Sequence, residues 1–500
     1  MAMDSVPLYE RGRMKSLMLL WQTLAQECAN ICGTSTVRDR KTISDRAKTE
    51  GLSFLTITLT NFGKDFEKAL DQGFVDSSHF PGFQRSGGLP KFLSGFLRLV
   101  FDSRDGLLLP TASIDAIRSI RQLTLMFGKI EIPCTPARNQ KAIDAYVQCE
   151  SDVKELDRER CPDKVAALRR VFSMLYGSMF DNIERELSCA DYHNFLPKHG
   201  PGATADGFRG NEKFLRPDWT ARLDSIFPVG EFLLPNYRFM DLFEPSSKEE
   251  KGIDIREPGR EKPAKVTLVP KTLKTPRIIA EEPVCMQYAQ QALLLRFLDE
   301  WNKHEHLVSF VDFRDQEPNK VLARKGSSDL SLATLDLSEA SDRVSNQLVR
   351  DLFSWWPNIA EAIDATRSRS AALPDGRVIR LAKFASMGSA MCFQIEAMVF
   401  FAIIVLSLEQ LSKPLSPSTL LKEYKDRVRV FGDDLIVPKD CVSTVISNLE
   451  AFGFKVNADK SFWTGKFRES CGGDFYDGHD VNVMRVRRML PSDYRSAEEV

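Results

Sequence analysis

Residues 427–438 read R-V-R-V-F-G-D-D-L-I-V-P, and how this stretch folds decides how the rest of the chain is placed. Two short β-runs, 428–431 and 435–437, flank Gly432-Asp433-Asp434. Glycine accepts the positive φ of a tight turn and aspartate is a common turn former, so the stretch predicts a β-hairpin with adjacent carboxylates at its tip. Two anions at one point repel, and that cost persists only if something positive binds there. A hard divalent cation carrying phosphate ligands would relieve it. A lone G-D-D is equally compatible with a solvated turn, so the rest of the chain has to decide.

The chain has 500 residues, 43% apolar and 27% charged. That is a globular balance, too long for one ordinary core, and predicts two or three subdomains around a common centre. The longest apolar run, 397–408, lies between Glu396 and Glu409 and is too short to span a bilayer, so a buried helix and no membrane partner are expected. The first residues, M-A-M-D-S-V-P-L-Y-E, lack the basic and apolar regions of a signal peptide. Ten cysteines without a C-x-x-C pair read as the reduced thiols of a cytosolic protein. His304 and His306 bracket Glu305 without further ligands and read as a polar helix end.

A net charge of −1 conceals clustering. Between 251 and 277 stand eight bases (Lys251, Arg256, Arg260, Lys262, Lys265, Lys271, Lys274, Arg277) against three acids (Asp254, Glu257, Glu261). A basic segment and an acidic point in one near-neutral chain fit a charged channel leading to metal ions. Residues 251–262 alone also fit a solvated loop.

Up to about residue 240 the pattern is mainly helical, with apolar residues at helical spacing in 14–31, 114–127 and 165–187. Turn-rich pieces such as H-F-P-G-F-Q-R-S-G-G-L-P (79–90) interrupt it. The glycine-rich loop 199–207, H-G-P-G-A-T-A-D-G, lacks the spacing of a phosphate-gripping P-loop, and a packed loop is as good a reading as a binding one. A polar, proline-bearing linker is expected over 243–264.

Strands are then expected at 265–270 and 277–280, making a basic hairpin that carries Lys271, Lys274 and Arg277. A helix over 282–301 should bury Met286, Ala289, Leu293 and Phe297. A strand over 331–337 carries Asp336, and a helix starting at Ser338 follows, with Val344, Leu348 and Phe353 on one side. A hairpin about Pro374-Asp375-Gly376 comes next, then a helix to about 411, the G-D-D hairpin, a helix over 442–452 and a strand over 454–457. That order suits a small antiparallel sheet with helices on one face.

In such a sheet the end of the Asp336 strand can lie beside the tip bearing Asp433 and Asp434. Three carboxylates would hold two Mg²⁺ ions about 3.5–4 Å apart, the arrangement of in-line nucleotidyl transfer. The basic hairpin would grip triphosphate oxygens, arginine by its bidentate fork. Singly, Asp336 reads as a helix N-terminal acid and the hairpin as a solvated surface. Their joint order is much harder to dismiss.

These residues resemble an RNA-directed RNA polymerase, and specifically the replicase subunit of the positive-strand RNA bacteriophages, the levivirus group. The matching residues run from V-P-K-T-L-K-T-P-R-I-I-A-E-E-P to R-E-S-C-G-G-D-F-Y, roughly the second half of the chain. The first palm motif is present as Asp336 and Asp342, the second as S-M-G-x-x-x-x-F from Ser386 to Phe393, the third as Gly432-Asp433-Asp434. The fourth centres on Lys460 in N-A-D-K-S-F, and the fifth is Glu469-Ser470-Cys471-Gly472-Gly473.

The resemblance implies an α+β right-hand polymerase with mainly helical fingers and an antiparallel-sheet palm of ferredoxin-like type. Fingers would comprise 1–325, including the hairpin 265–281, the palm 326–465, and a primer-grip turn with the start of a truncated or reduced thumb 466–500. It implies Asp336, Asp433 and Asp434 as magnesium ligands, with Mn²⁺ able to substitute and Asp434 the more peripheral. Lys271, Lys274 and Arg277 would line the NTP entry, while Asp342 and the loop from Ser386 to Ser389, with Ser386 and Gly388, would read the ribose and the templating position. Lys460 would be the general acid for pyrophosphate; a surface lysine is its plain alternative. Cys471-Gly472-Gly473 would grip the new 3′ end, against which stands a buried thiol.

The partners implied are an RNA template and product, ribonucleoside triphosphates, and the host elongation factors Tu and Ts with a ribosomal protein, in the cytoplasm of an infected bacterium. Cys392 and Glu396 stand where the wider class carries Thr and Asn, which leaves ribose selection open. A reverse transcriptase is the enzymatic rival, disfavoured by Phe-Gly-Asp-Asp. A non-catalytic RNA-binding protein is the other, disfavoured by the intact carboxylate set.

Overall fold

The computed structural model describes residues 8–214, 218–233 and 254–488. Half of the linker expected over 243–264, Lys251 included, therefore lies outside the described residues. The described part up to 233 is mainly helical, with long helices at Leu8–Cys32, Val37–Glu50, Leu59–Gln72, Ile114–Leu125, Pro136–Glu159 and Pro162–Ser188. Local chemistry sets their starts. Ser113 accepts a hydrogen bond from the Ala116 N–H, and Thr135 from the Arg138 N–H, with Pro136 in the first turn, where its missing N–H costs nothing.

Two large apolar cores result. One gathers Trp21, Phe62, Phe66, Phe101 and Ile117 from the N-terminal helices and takes in Phe462, Phe467 and Tyr476 from near the other end of the chain. The second packs Pro162–Ser188, Val284–Trp301 and Cys392–Leu411 against the central sheet. It runs from Leu168 to Phe454, across residue 325. The Cys392–Leu411 helix is long and apolar enough to cross a membrane by composition, yet nearly all of it is buried in this core. Met286, Ala289, Leu293 and Phe297 are buried as their spacing predicts.

The central sheet has the order Arg429–Phe431, Asp434–Pro438, Leu332–Ser338, Lys455–Val456, every pair antiparallel. Side chains alternate across it. Ala333, Leu335, Leu337, Leu435 and Val437 enter the large helical core. Leu332 and Ile436 turn the other way and pack on Leu322 and Ala323 of the Glu317–Asp329 helix and on Phe475. The expectation of helices on one face is thus corrected: apolar residues at both parities of the strands demand a cover on each side.

A second correction concerns the segment after Asp336. The single expected helix is two short ones, Ala340–Arg343 and Asn346–Leu352, because Val344 is extended and Ser345 caps the second by accepting from the Leu348 N–H. The hairpins expected at 265–280 and around 374–376 are joined in one four-stranded sheet, with Ala264–Val269 parallel to Ser370–Ala372. Loop 199–207 is packed: Lys213 donates to the Gly200 and Gly202 carbonyls at 2.6 Å each, and His199 stacks on Tyr288. All ten cysteines are free.

Candidate active site

The hairpin turn is made by Gly432 and Asp433, since Phe431 and Asp434 are register partners. Gly432 has φ +58°, and a Cβ there would run into the Phe393 ring. Phe393 packs edge-on against Phe431, centroids 5.2 Å apart, so the end of S-M-G-x-x-x-x-F sets the height of the turn. On the other side of Asp434 the register pairs it directly with Asp336. Directly opposed residues share a face, and a slip of one position would send one carboxylate into the helical core. Acids nearly a hundred positions apart therefore meet, with Asp433 exposed at the tip and within electrostatic reach of both.

Burial raises the Asp434 carboxyl to about 7, with Asp433 and Asp336 adding to the rise and the Cys471 N–H opposing it. Asp336 is also raised, first by burial and then by Asp433, against the pull of Lys460 and Asn457. Lys460 Nζ lies 3.0 Å from Asp336 Oδ1, and Asn457 donates to Oδ2 at 2.9 Å. Burial works against the Lys460 ammonium, but Asp336 and Glu469 outweigh it and raise its pKa. Ser461 accepts the Asp336 N–H at 3.1 Å.

The basic loop between Ala264–Val269 and Arg277–Glu281 faces these acids. The Lys271 ammonium is depressed by burial, Arg277 and Lys460, and partly restored by Asp433 and Asp336, which places all five groups around one space. Lys274 is exposed on the same loop. The turn at Cys471 (φ +50°) and Gly472 (φ +75°) closes the remaining side, where Ser470 reaches Asp434 Oδ1 at 3.5 Å and burial beside Asp434 pushes the Cys471 thiol up.

Asp342 sits off this centre. Its Oδ1 accepts from Lys383 Nζ at 2.9 Å and from the Ser386 hydroxyl at 3.2 Å. Ser386 is buried. Gly388 has φ +132° and lies hard against the Ala280 carbonyl, a position in the backbone packing. Glu396 is buried, accepts from Ser341 at 2.5 Å, and is raised to about 8, first by burial, then by Asp433 and Asp342 against that hydrogen bond.

Sequence reasoning assigned no role to Asn457, Ser470 or Lys383. Asn457 lies in the quoted N-A-D-K-S-F and Ser470 in E-S-C-G-G, so their signal was proximity to motif residues. Lys383 carried none, because an isolated lysine before a motif reads as surface.

The cluster was tested as a cation site. Among the described residues no three His, Cys, Asp or Glu side chains stand gathered as a ready ligand set, and both Asp336 oxygens are turned to Lys460 and Asn457. The donors are nonetheless all carboxylate oxygens, and those of Asp336 and Asp434 are held up by burial and by the acids beside them, which suits a hard cation once Asp336 releases those partners.

The family described as RNA replicase, beta-chain, matches residues 245–494, half of the chain. The chain is similar to the RNA-directed RNA polymerase subunit beta of Qbeta virus (strain MX1), 38% identical over 234 residues, 46% of this chain and 36% of that one. The corresponding subunit of Enterobacteria phage SP is 36% identical over 229 residues, 45% of this chain and 36% of that one. The RNA-directed RNA polymerase beta chain of Escherichia phage MS2 is 34% identical over 226 residues, 45% and 37%. The matched stretch spans little more than a third of each relative's length. Among solved structures, the RNA-dependent RNA polymerase of a human picorbirnavirus aligns over 45% of this chain and 46% of that one at 12% identity. Its TM-score of 0.34 is too low to bear on the fold.

Proposed function

The chain belongs to the RNA replicase beta-chain family, and from that premise we propose that it synthesises RNA on an RNA template from ribonucleoside triphosphates. The observation that carries the reading is the direct pairing of Asp336 with Asp434, under a turn bearing Asp433 and across from Lys271. The sheet would be the palm, of ferredoxin-like type, an assignment supported by two β-α-β units in the order 429–431, 434–438, 332–338, 455–456. Residues 1–325 would supply the fingers, 326–465 the palm, and 466–500 the primer grip and the root of a thumb.

Asp336, Asp433 and Asp434 would hold divalent cations, Mg²⁺ or Mn²⁺ in its place, which when bound would activate the attacking 3′-hydroxyl and neutralise the leaving pyrophosphate. Lys271, Lys274 and Arg277 bind the triphosphate and orient it by charge-assisted hydrogen bonds. Lys460 has its proton held on Nζ by Asp336 and Glu469, and gives it to the leaving group as the bond breaks. Asp342 reads the ribose, and the turn 471–473 steadies the strand being extended. Host elongation factors Tu and Ts, a ribosomal protein and the bacterial cytoplasm belong to the same proposal through the family resemblance.

The test is incorporation of labelled nucleotides on a heteropolymeric RNA template, with and without a chelator, comparing the wild type with Asp336→Asn. Incorporation of ribonucleotides that both the chelator and the substitution abolish is expected. Preference for dNTPs would make the chain a reverse transcriptase. RNA binding without any incorporation, unaltered by Asp433→Asn, would make it a binding protein.

A further inference from the structure

Behind Asp342 lies a buried polar group contributed largely by the Pro136–Glu159 helix, which falls outside the matched residues 245–494. Tyr146, Cys149 and Glu150 stand at i, i+3 and i+4, and so share one face of that helix. All three turn to the segments carrying Asp342 and Ser386. Glu150 accepts the Ala382 N–H at 2.6 Å and pairs with Lys383 Nζ at 3.1 Å. Cys149 Sγ reaches the Asp342 carbonyl at 3.5 Å. The Tyr146 hydroxyl lies 2.9 Å from Ser386 Oγ, and its ring lies under the Lys383 ammonium, 3.6 Å from centroid to Nζ. Lys383 is fully buried, and its charge is matched by Asp342 and Glu150 together.

The hydrogen bonds have a direction. Ser386 gives its proton to Asp342 Oδ1, so the Tyr146 hydroxyl must donate to Ser386. Oδ1 is then filled by Lys383 and Ser386, and the carboxylate cannot rotate without breaking both bonds. Oδ2 has no hydrogen-bond partner among the described residues, and the side chain keeps 27% of its exposure. One oxygen is fixed by the protein and the other is presented outward. A site built to accept a hydrogen bond from a substrate hydroxyl rejects the analogue lacking it far more strongly than a shape-matched pocket can.

We propose that Tyr146 and Lys383 are positioning residues that fix Asp342 for the 2′-hydroxyl of the incoming nucleotide, so that a helix outside the motif-bearing half sets ribose selectivity. This rests on the polymerase reading above. It supplies a route to that selectivity in a chain with Cys392 and Glu396 in place of the usual Thr and Asn.

The experiment measures equilibrium binding of ATP and 2′-deoxy-ATP by the full chain, with a short RNA template present, so that no turnover is required. The wild type is expected to prefer ATP. Tyr146→Phe keeps the ring beneath Lys383 and removes only the hydroxyl, and it should shrink that preference by about tenfold at an unchanged melting temperature. Lys383→Met, if it folds, should shrink it further. Asp342→Asn should abolish it. A preference lost in Asp342→Asn but intact in Tyr146→Phe overturns the inference and leaves the polymerase reading standing. Equal weakening of both nucleotides in Tyr146→Phe also overturns it, since that is the mark of a merely structural role. A wild type that binds neither nucleotide overturns the polymerase reading, and the inference falls with it.

Discussion

Two groups of charged residues lie close together near the C-terminal hairpins and are built on opposite terms. One joins Leu59–Gln72 and Ile114–Leu125 to the strands Phe467–Ser470 and Gly473–Tyr476. In it Arg121 pairs with Glu67 and Asp474 at 2.8 Å each, and Lys64 with Glu67 at 2.7 Å and Glu469 at 3.4 Å. Burial alone would raise Glu469, but Lys64, Lys460 and Arg121 outweigh it and hold its carboxyl well below the usual range. Asp474 is the exception, raised by burial in spite of Arg121. The other group is the acidic tip, where Asp434 is pushed up to about 7 and only the half-exposed Lys460 stands directly against Asp336. A half-exposed ion pair contributes roughly 0–1 kcal/mol, too little to offset crowded and partly buried acids. Charge that finds its counter-charge within the chain holds elements together; charge left over at the tip is what the proposed cations would match.

The sharpest way to break this contrast is to remove a cation from the matched group. Arg121→Met strands Glu67 and Asp474 in the core and should lower stability by about 3–5 kcal/mol in a denaturant titration. Adding Glu67→Gln and Asp474→Asn should recover much of the loss, because the stranded charges go with it. An unchanged midpoint for Arg121→Met would mean that the network holds nothing together. The mirror experiment is Asp433→Asn at the tip. It should cut nucleotide incorporation by roughly 10²–10³-fold while stability holds or rises, since repulsion is relieved. Full activity, or a large drop in midpoint, would reverse the assignment of the two groups.

The two regions also differed in how much the sequence disclosed. The tip was legible because its parts have strong local signatures: a glycine at a positive-φ turn, short β-runs on either side of it, and a strand ending in Asp336. That the Asp336 strand can end beside the tip follows from the order of elements, whereas the register that pairs Asp336 with Asp434 comes only from the structure. The matched network was not legible, because Lys64 and Arg121 look like ordinary surface charges and Glu469 was marked only as the start of a motif, while only the packing of distant helices on the 467–476 hairpin buries them. Lys383 and Tyr146 were hidden for the same reason. The second cover on the central sheet is not marked in the sequence, because Leu332 stands beside Ala333 and Ile436 between Leu435 and Val437, so neither strand shows a wholly polar face. The helix after Asp336 was overextended because Ser345 was not recognised as a cap.

Between these extremes lies Gly432, where turn geometry and the acids' placement meet. A left-handed φ costs a residue with a Cβ about 1–2 kcal/mol, and here the Cβ would also press on Phe393. Gly432→Ala should therefore cost about 2 kcal/mol and lower incorporation as well, because Asp433 and Asp434 move with the turn. Loss of stability with full activity would show that the acids tolerate displacement, which an organised ligand site would not.

The smallest effect is the most direct reading of unmatched charge. Asp434 holds its proton up to about pH 7 when folded, against about 3.9 in an unfolded chain. Between those values the folded state binds a proton that the unfolded state has released, so this carboxyl makes stability fall as pH rises from about 4 to 7, against His199, which burial lowers to about 4 and which works in the opposite sense up to about 6.5. Glu396, raised to about 8, and Glu282, raised to about 7, act in the same sense as Asp434, while the lowered carboxyl of Glu300 acts only below about pH 4.5. Asp434→Asn should remove one proton's share of that slope, at most about 1.4 kcal/mol per pH unit, over pH 5–7. Glu469 offers the contrast: it is already ionised throughout that window, so Glu469→Gln should change the level of stability and touch the slope only through its minor share in raising Asp434. Equal slopes in the wild type and Asp434→Asn would mean that the tip carries no surplus charge, and the contrast between the two groups would be lost.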